Sequence, residues 1–389
     1  MLKQTLKKKL KKCQTFLRSC AGEVRLMKMR LADTPEEVED SAKKILVFSR
    51  LEVENYGDPI IADCCRYLIE KAAKKQNVPV VTTMADIYEP NINVLRHQLQ
   101  GQDVVVFPGG GMNSPSFNRM VITILDLLRE EGRASVFFNA IGIARVNPKK
   151  GNPTLLKEML NRPEVKQVTT RGSIKKLRRY LSTEKAYPPR LVLDPAVWVN
   201  EAYGIERNVD AKVIGVGVIR PEIFMRNGSE LSVEDVYKMY MDIIEELERR
   251  GYECQLFTNG WKEDYRFGVS LLKRMGRDRE KYLGDNVKSA KALVEKIAGY
   301  RAVVAARLHA NIIATSLGVP SIGLVWNDKM NMFAKTVNCE ERYISGEALL
   351  DTSHVIDQME EAIANGYDTE KIDRMKRKTM KTIRNIVIS

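Results

Sequence analysis

R-A-V-V-A-A-R-L-H-A-N-I-I-A-T-S-L-G-V-P-S-I-G-L-V-W-N-D-K, residues Arg301 to Lys329, reads as a buried strand that delivers an Arg and a His onto the start of a helix. Val303 to Ala306 is short, apolar and partly β-branched. Ala310 to Leu317 has helical spacing, and Gly318 and Pro320 close it before a second apolar run, Ser321 to Trp326. The pattern predicts a strand, a helix and a strand, with Arg307 and His309 at the carboxyl end of the first strand. Asn327-Asp328-Lys329 ends the second. In open α/β sheets ligands bind at that edge, and the free N–H groups of the following helix favour an anion. Two strand ends are therefore expected to meet at one pocket.

The same alternation extends outward in both directions. Strand patterns fall at Lys44 to Ser49, Val78 to Thr82, Val104 to Pro108 (running into Gly109-Gly110-Gly111), Ser135 to Asn139, Gln167 to Thr170 and Leu191 to Leu193. Helical patterns cover Pro59 to Lys75 and Arg119 to Glu131. The series restarts after Ala211 with K-V-I-G-V-G-V-I-R, then a helix over Ser232 to Arg250, a strand over Glu253 to Thr258 and a helix over Ala290 to Ala298. Repeated βα units predict mostly parallel sheets. The expectation is an α/β protein of two Rossmann-like lobes, residues 41–205 and 206–350. A basic amphipathic helix and linker over 1–40 precede them, and a C-terminal helix over 351–389 without an evident partner follows.

Charge and cysteines narrow the function classes. The net charge is +13, but residues 1–30 hold ten Lys and Arg against Glu23 alone, and residues 370–389 hold seven against two acids, leaving −1 for 31–369. A nearly neutral body without a zinc finger or basic stripe argues against nucleic acid. Leu6, Leu10, Cys13, Leu17 and Cys20 make an apolar stripe among lysines, which suits an anionic membrane surface or a terminal helix docked on the body; the sequence leaves both open. No apolar run reaches the roughly 20 residues of a membrane span, and the lysine-rich start lacks a secretory signal's apolar segment, so a cytoplasmic protein, possible partner of the inner membrane face, is expected. Six cysteines without C-x-x-C spacing and three histidines predict neither disulfides nor a protein-held metal, and adjacent Cys64 and Cys65 fit a buried helix.

The chain resembles the polysaccharide pyruvyl transferase family over roughly Lys44 to Ile344. The resemblance rests on R-L-H at Arg307 to His309, G-V-P at Gly318 to Pro320 and D-K at Asp328-Lys329. N-Y-G-D at Asn55 to Asp58, the run from Asp103 to Gly111, T-T-R at Thr169 to Arg171 and L-D-P-A at Leu193 to Ala196 support it. It implies a GT-B-like fold, phosphoenolpyruvate as co-substrate with no further cofactor, and transfer of a pyruvyl group to two sugar hydroxyls as a ketal, with release of phosphate. The implied acceptor belongs to an exopolysaccharide or cell-wall precursor, such as a lipid-linked oligosaccharide. Departures fall at Gly172 and Lys175, where members carry an acidic residue and a serine, and at Gly142-Ile143-Ala144, where they carry G-P. Both bear on acceptor recognition or loop geometry more than on donor chemistry.

Phosphoenolpyruvate is an acceptor-rich anion, so it requires cations. An arginine fork matches its carboxylate and a lysine serves a phosphate as a point charge. Arg171, Arg307 and Lys329 are the candidates at strand ends, with Arg220 as a fourth. Protons must move near neutrality, and His309 is the histidine at the predicted rim. Asn55, Gly57, Asp58 and the glycines 109 to 111 are candidates for the acceptor side, although Asp58 also suits a helix cap and the glycines a tight turn. Asp194, before Pro195, reads as a turn organiser. The competing readings are a nucleotide-sugar glycosyltransferase of the same fold and a non-catalytic glycan-binding subunit.

Overall fold

The computed structural model describes residues 41–51, 53–112, 114–132, 134–143 and 152–389; the basic segment predicted over 1–30 lies outside them. Among these residues, β1 (Lys43–Ser49), β2 (Val80–Asp86), β3 (Val104–Phe107), β4 (Gly110–Gly111), β5 (Ser135–Gly142), β6 (Val165–Thr170) and β7 (Arg190–Leu191) form one sheet in the order β2-β1-β3-β5-β6-β7, with β4 added on β5. A second sheet orders β8 (Ile214–Gly217), β9 (Cys254–Phe257), β10 (Ala302–Ala305), β11 (Ser321–Val325) and β12 (Tyr343–Ser345) as β12-β11-β10-β8-β9. Every pairing is parallel.

The opening stretch explains the second sheet. All four residues of β10 are fully buried, as expected of an inner strand covered by helices on both faces. Ala305 is level with Gly217 of β8 and Gly323 of β11, so the carboxyl ends of these strands share one rim. From that rim rise helices Leu308–Leu317 and Asp328–Val337. Across the crevice, β1 leads through Asn55 to helix Gly57–Gln76. This helix and Leu308–Leu317 bury Ile60, Ile61 and Leu68 with Ile312, Ile313 and Leu317 in one continuous core, so the lobes meet through packed apolar side chains.

A second contact lies beside the crevice. Tyr56 N–H donates to the Asn259 carbonyl (3.0 Å), and Lys262 Nζ pairs with Glu54 (2.6 Å). Gly260 sits between them at φ 107°, where a Cβ would overlap the Glu54 carbonyl, so only glycine lets these loops touch.

The C-terminal expectation needs correction. Residues 351–389 form two helices, Thr352–Asn365 and Thr369–Ile388, broken at Gly366. The first buries Val355, Ile356 and Met359 in the second lobe. The second crosses back to the first lobe, burying Ile383, Ile386 and Val387 against helix Gly57–Gln76, and Thr379 Oγ1 accepts from Leu193 N–H (2.9 Å). Its partner was invisible in sequence because helix Gly57–Gln76 ends nearly 300 residues before Thr369, and even the Leu193–Thr379 bond spans 186 residues.

Candidate functional site

A cavity of about 180 Å3 opens between the lobes. Asn55, Asp58, Gly111 and Arg171 line it from the first lobe, and Arg307, His309 and Lys329 from the second. Most residues singled out in the sequence thus share one space.

Arg307 is the N-cap residue of helix Leu308–Leu317 and leaves β10 in extended conformation. Asn311 fixes this exit, its Nδ2 donating to the carbonyls of both Ala305 and Arg307 at 3.0 Å. The Arg307 guanidinium donates through Nε (3.0 Å) and Nη2 to one oxygen of Asp264. Asp264 is fully buried in the first turn of helix Lys262–Arg274, and its other oxygen accepts from Arg220 Nη1 at 2.7 Å. A carboxylate so deep in protein is tolerable only when paired, and here two arginines pair with it.

Arg220 departs from expectation. Its guanidinium is held by Asp264 and lies 5.7 Å from the Trp261 ring centre, and it does not line the cavity. The Asp264 carboxylate draws it aside.

Arg171 follows β6 and pairs through Nη1 with Asp194. Asp194 is 1% exposed; its Oδ1 accepts from Ala196 N–H (2.9 Å), capping the turn Pro195–Trp198, so the predicted turn role holds and an ion pair is added to it. The pair also reaches the other lobe. His309 Nε2 lies 3.4 Å from Arg171 Nη1 and 3.9 Å from Asp194 Oδ2. On its opposite edge the imidazole rests on Gly57, where any Cβ would overlap Nδ1 and Cγ. Gly57 is therefore small because a ring occupies the space a side chain needs.

Burial, then the Arg171 charge, with Lys329 and Arg307 adding and Asp58 opposing, pushes His309 down to about 3. The imidazole is neutral at pH 7. Lys329, in the first turn of a helix capped by Asn327, has its ammonium 4.5 Å from the Trp326 ring centre. Burial first, and then Arg171 and Arg307, push it down to about 7. Among the described residues no carboxylate pairs with Lys329, whereas Arg171 and Arg307 each have one.

Asp58 does not cap its helix, which has no side-chain cap; the carboxylate instead faces Arg50 at 3.7 Å. It also borders a second cavity, of about 260 Å3, lined by Arg50, Tyr88 and Phe117 together with Gly109 and Gly110. Gly111 borders both. The triple glycine thus skirts the wall between two cavities.

The sequence model of the family described as Polysaccharide pyruvyl transferase matches residues 55–328, from the Asn55 loop to the start of the Lys329 helix. The chain belongs to this family. No curated protein matches it. Among solved structures, MnaA of S. aureus with UDP matches at TM-score 0.53 and 11% identity, over 87% of this chain and 90% of that one. A UDP-N-acetylglucosamine 2-epimerase matches at TM-score 0.52 and 13% identity, over 88% and 94%. At such identities the likeness concerns the fold: two Rossmann-like lobes in a GT-B-like arrangement. As a polysaccharide pyruvyl transferase the chain is a transferase.

Three residues of this pyruvyl transferase escaped the sequence reading of the site. Asp264 carries no motif signal, being one acid among several in a polar helix start. Asp194 showed its turn role alone. Asn259 lines the cavity just beyond β9, in T-N-G, and its position past a predicted strand end was the available clue.

Proposed function

We propose that the interlobe cavity binds phosphoenolpyruvate and transfers its pyruvyl group to two hydroxyls of a glycan, forming a ketal and releasing phosphate. The observation that supports this most is the meeting of Arg171, Arg307 and Lys329 around one imidazole in a space of about 180 Å3. Asp264 occupies the Nε and Nη2 side of Arg307, while Asp194 takes only Nη1 of Arg171. Arg171 therefore keeps a side-on fork for the donor carboxylate, and Lys329 and the remaining Nη1 of Arg307 face the phosphate.

A neutral His309 enters the reaction as a base. The first sugar hydroxyl loses its proton as its oxygen bonds to the central carbon of the enol, and the methylene carbon gains a proton to become methyl. One imidazole can carry that proton across. The second hydroxyl then attacks the same carbon, the C–O bond to phosphate breaks with its electron pair, and the second proton leaves by way of His309 to the phosphate. Burial of His309 in a cationic surround keeps it deprotonated, free to take the hydroxyl proton.

The test is phosphate release from phosphoenolpyruvate with a panel of nitrophenyl and lipid-linked glycosides, followed by mass spectrometry. The expected product carries one pyruvyl unit joined with loss of water. Turnover of UDP-sugars in place of phosphoenolpyruvate would overturn the reading in favour of a glycosyltransferase.

A further inference from the structure

The cavity contains polar groups that the donor chemistry leaves unused, Asn259 foremost among them. Asn259 is 1% exposed, and both its Oδ1 and its Nδ2 are buried without a hydrogen-bond partner. A buried amide in that condition loses its hydration and gains nothing in return, which is unfavourable unless a ligand completes it. Asn55, entering the same cavity from the first lobe, has its Oδ1 buried and unpartnered as well.

The loop around Asn259 is, by contrast, tied down on several sides. Its carbonyl accepts from Tyr56 N–H (3.0 Å), Thr258 Oγ1 donates to Asn286 Oδ1 (2.6 Å), and Asn286 Nδ2 donates to the Gly260 carbonyl (2.7 Å). A rigid loop thus holds an unsatisfied side chain at the junction of the lobes. Rigid support with an open valence is the arrangement of a preorganised binding group.

The chemistry of the open atoms selects the ligand. Ionised phosphoenolpyruvate offers acceptor oxygens alone, so it can satisfy Asn259 Nδ2 but neither Oδ1. An Oδ1 needs a donor. Hydroxyl groups both donate and accept, and the acceptor of a ketal-forming transfer must bring two of them to one carbon.

We infer that Asn259, with Asn55 across the crevice, reads the two hydroxyls of the acceptor sugar and holds them beside His309, a specificity role that rests on the donor reading above. Because Asn259 also touches Tyr56 through its carbonyl, the sugar diol is gripped where the lobes join. Substrates lacking one hydroxyl leave an amide oxygen buried and unpaired, so deoxy sugars are rejected.

The experiment uses the full chain with Asn259→Ala and Asn55→Ala. Titration calorimetry with phosphoenolpyruvate, saturation-transfer NMR with p-nitrophenyl glycosides of glucose, galactose, mannose and N-acetylmannosamine, and thermal unfolding without ligand are run in parallel. Asn259→Ala is expected to change donor affinity less than about threefold, to weaken glycoside binding about tenfold or more, and to leave Tm undiminished or raised by about 1–2 °C. A tenfold loss of donor affinity with glycoside binding intact makes Asn259 a donor residue and overturns the inference. A Tm loss of several degrees makes it a structural residue and also overturns it, whichever sugars of the panel bind. Failure of the wild-type chain to bind phosphoenolpyruvate counts against the donor reading instead, and so is told apart.

Discussion

Asp194 and Asp264 are both buried carboxylates at the crevice, each neutralising an arginine that lines it, but they are wired differently. Asp264 spends both oxygens on arginines of its own lobe, Arg307 and Arg220. Asp194 spends one oxygen on a turn, and the other on Arg171 within 3.9 Å of His309 on the opposite lobe. The first arrangement is a frame that fixes where a cation stands. The second couples a cation, a carboxylate and a proton-carrying group across the interface on which both substrates are proposed to meet.

The sharpest way to separate these roles is through turnover. His309→Ala should lower kcat by about 10² to 10⁴ while leaving phosphoenolpyruvate bound, as expected for loss of a positioned base. Asp194→Asn should shift the pH profile of kcat with the fold retained. Asp264→Ala should act on the fold instead. It leaves two arginines facing a buried void and should destabilise the protein by about 3–5 kcal/mol in urea unfolding. If Asp194→Asn unfolds the chain while Asp264→Ala merely alters the pH profile, the assignment of frame and coupler is reversed.

Smaller changes refine the same contrast. Gly57→Ala forces a methyl group against the His309 ring and should cost about 1–3 kcal/mol, with a parallel fall in kcat. The pH dependence of stability has a definite sign. His309 titrates at its ordinary value in the unfolded chain and is depressed to about 3 when folded, so between these values the unfolded state binds the extra proton. The stability His309 contributes is complete above about pH 6.5 and is lost as pH falls toward 3. His309→Gln should flatten that part of the curve, whereas an unchanged slope places the acid sensitivity elsewhere.

How much of this was legible in the sequence follows from the range of each interaction. β10 and its helix were readable because a buried parallel strand and the helix after it are written in contiguous residues, and Arg307, His309 and Lys329 are neighbours in that text. Arg171 was readable as the end of another strand. Asp264 was not, because its partners stand 43 and 44 residues away and nothing local marks an acid as buried. The cap reading of Asp58 failed for a related reason: its position in the first turn suggests a cap, and the nearby Arg50 and the two cavities its carboxylate borders arise from tertiary folding. The return of helix Thr369–Ile388 to the first lobe belongs with these, since its apolar stripe announces burial without naming the surface that covers it.

The cations gathered between the lobes are proposed to bind a three-carbon enol phosphate. Calorimetric titration of phosphoenolpyruvate into the wild-type chain, in buffers of different ionisation enthalpy, tests it most directly. Binding should be accompanied by proton uptake near pH 7, because the arriving anion raises the depressed Lys329 ammonium, and it should weaken at least tenfold in Arg171→Ala and in Lys329→Ala. Absence of binding, or binding that neither substitution weakens, would contradict it.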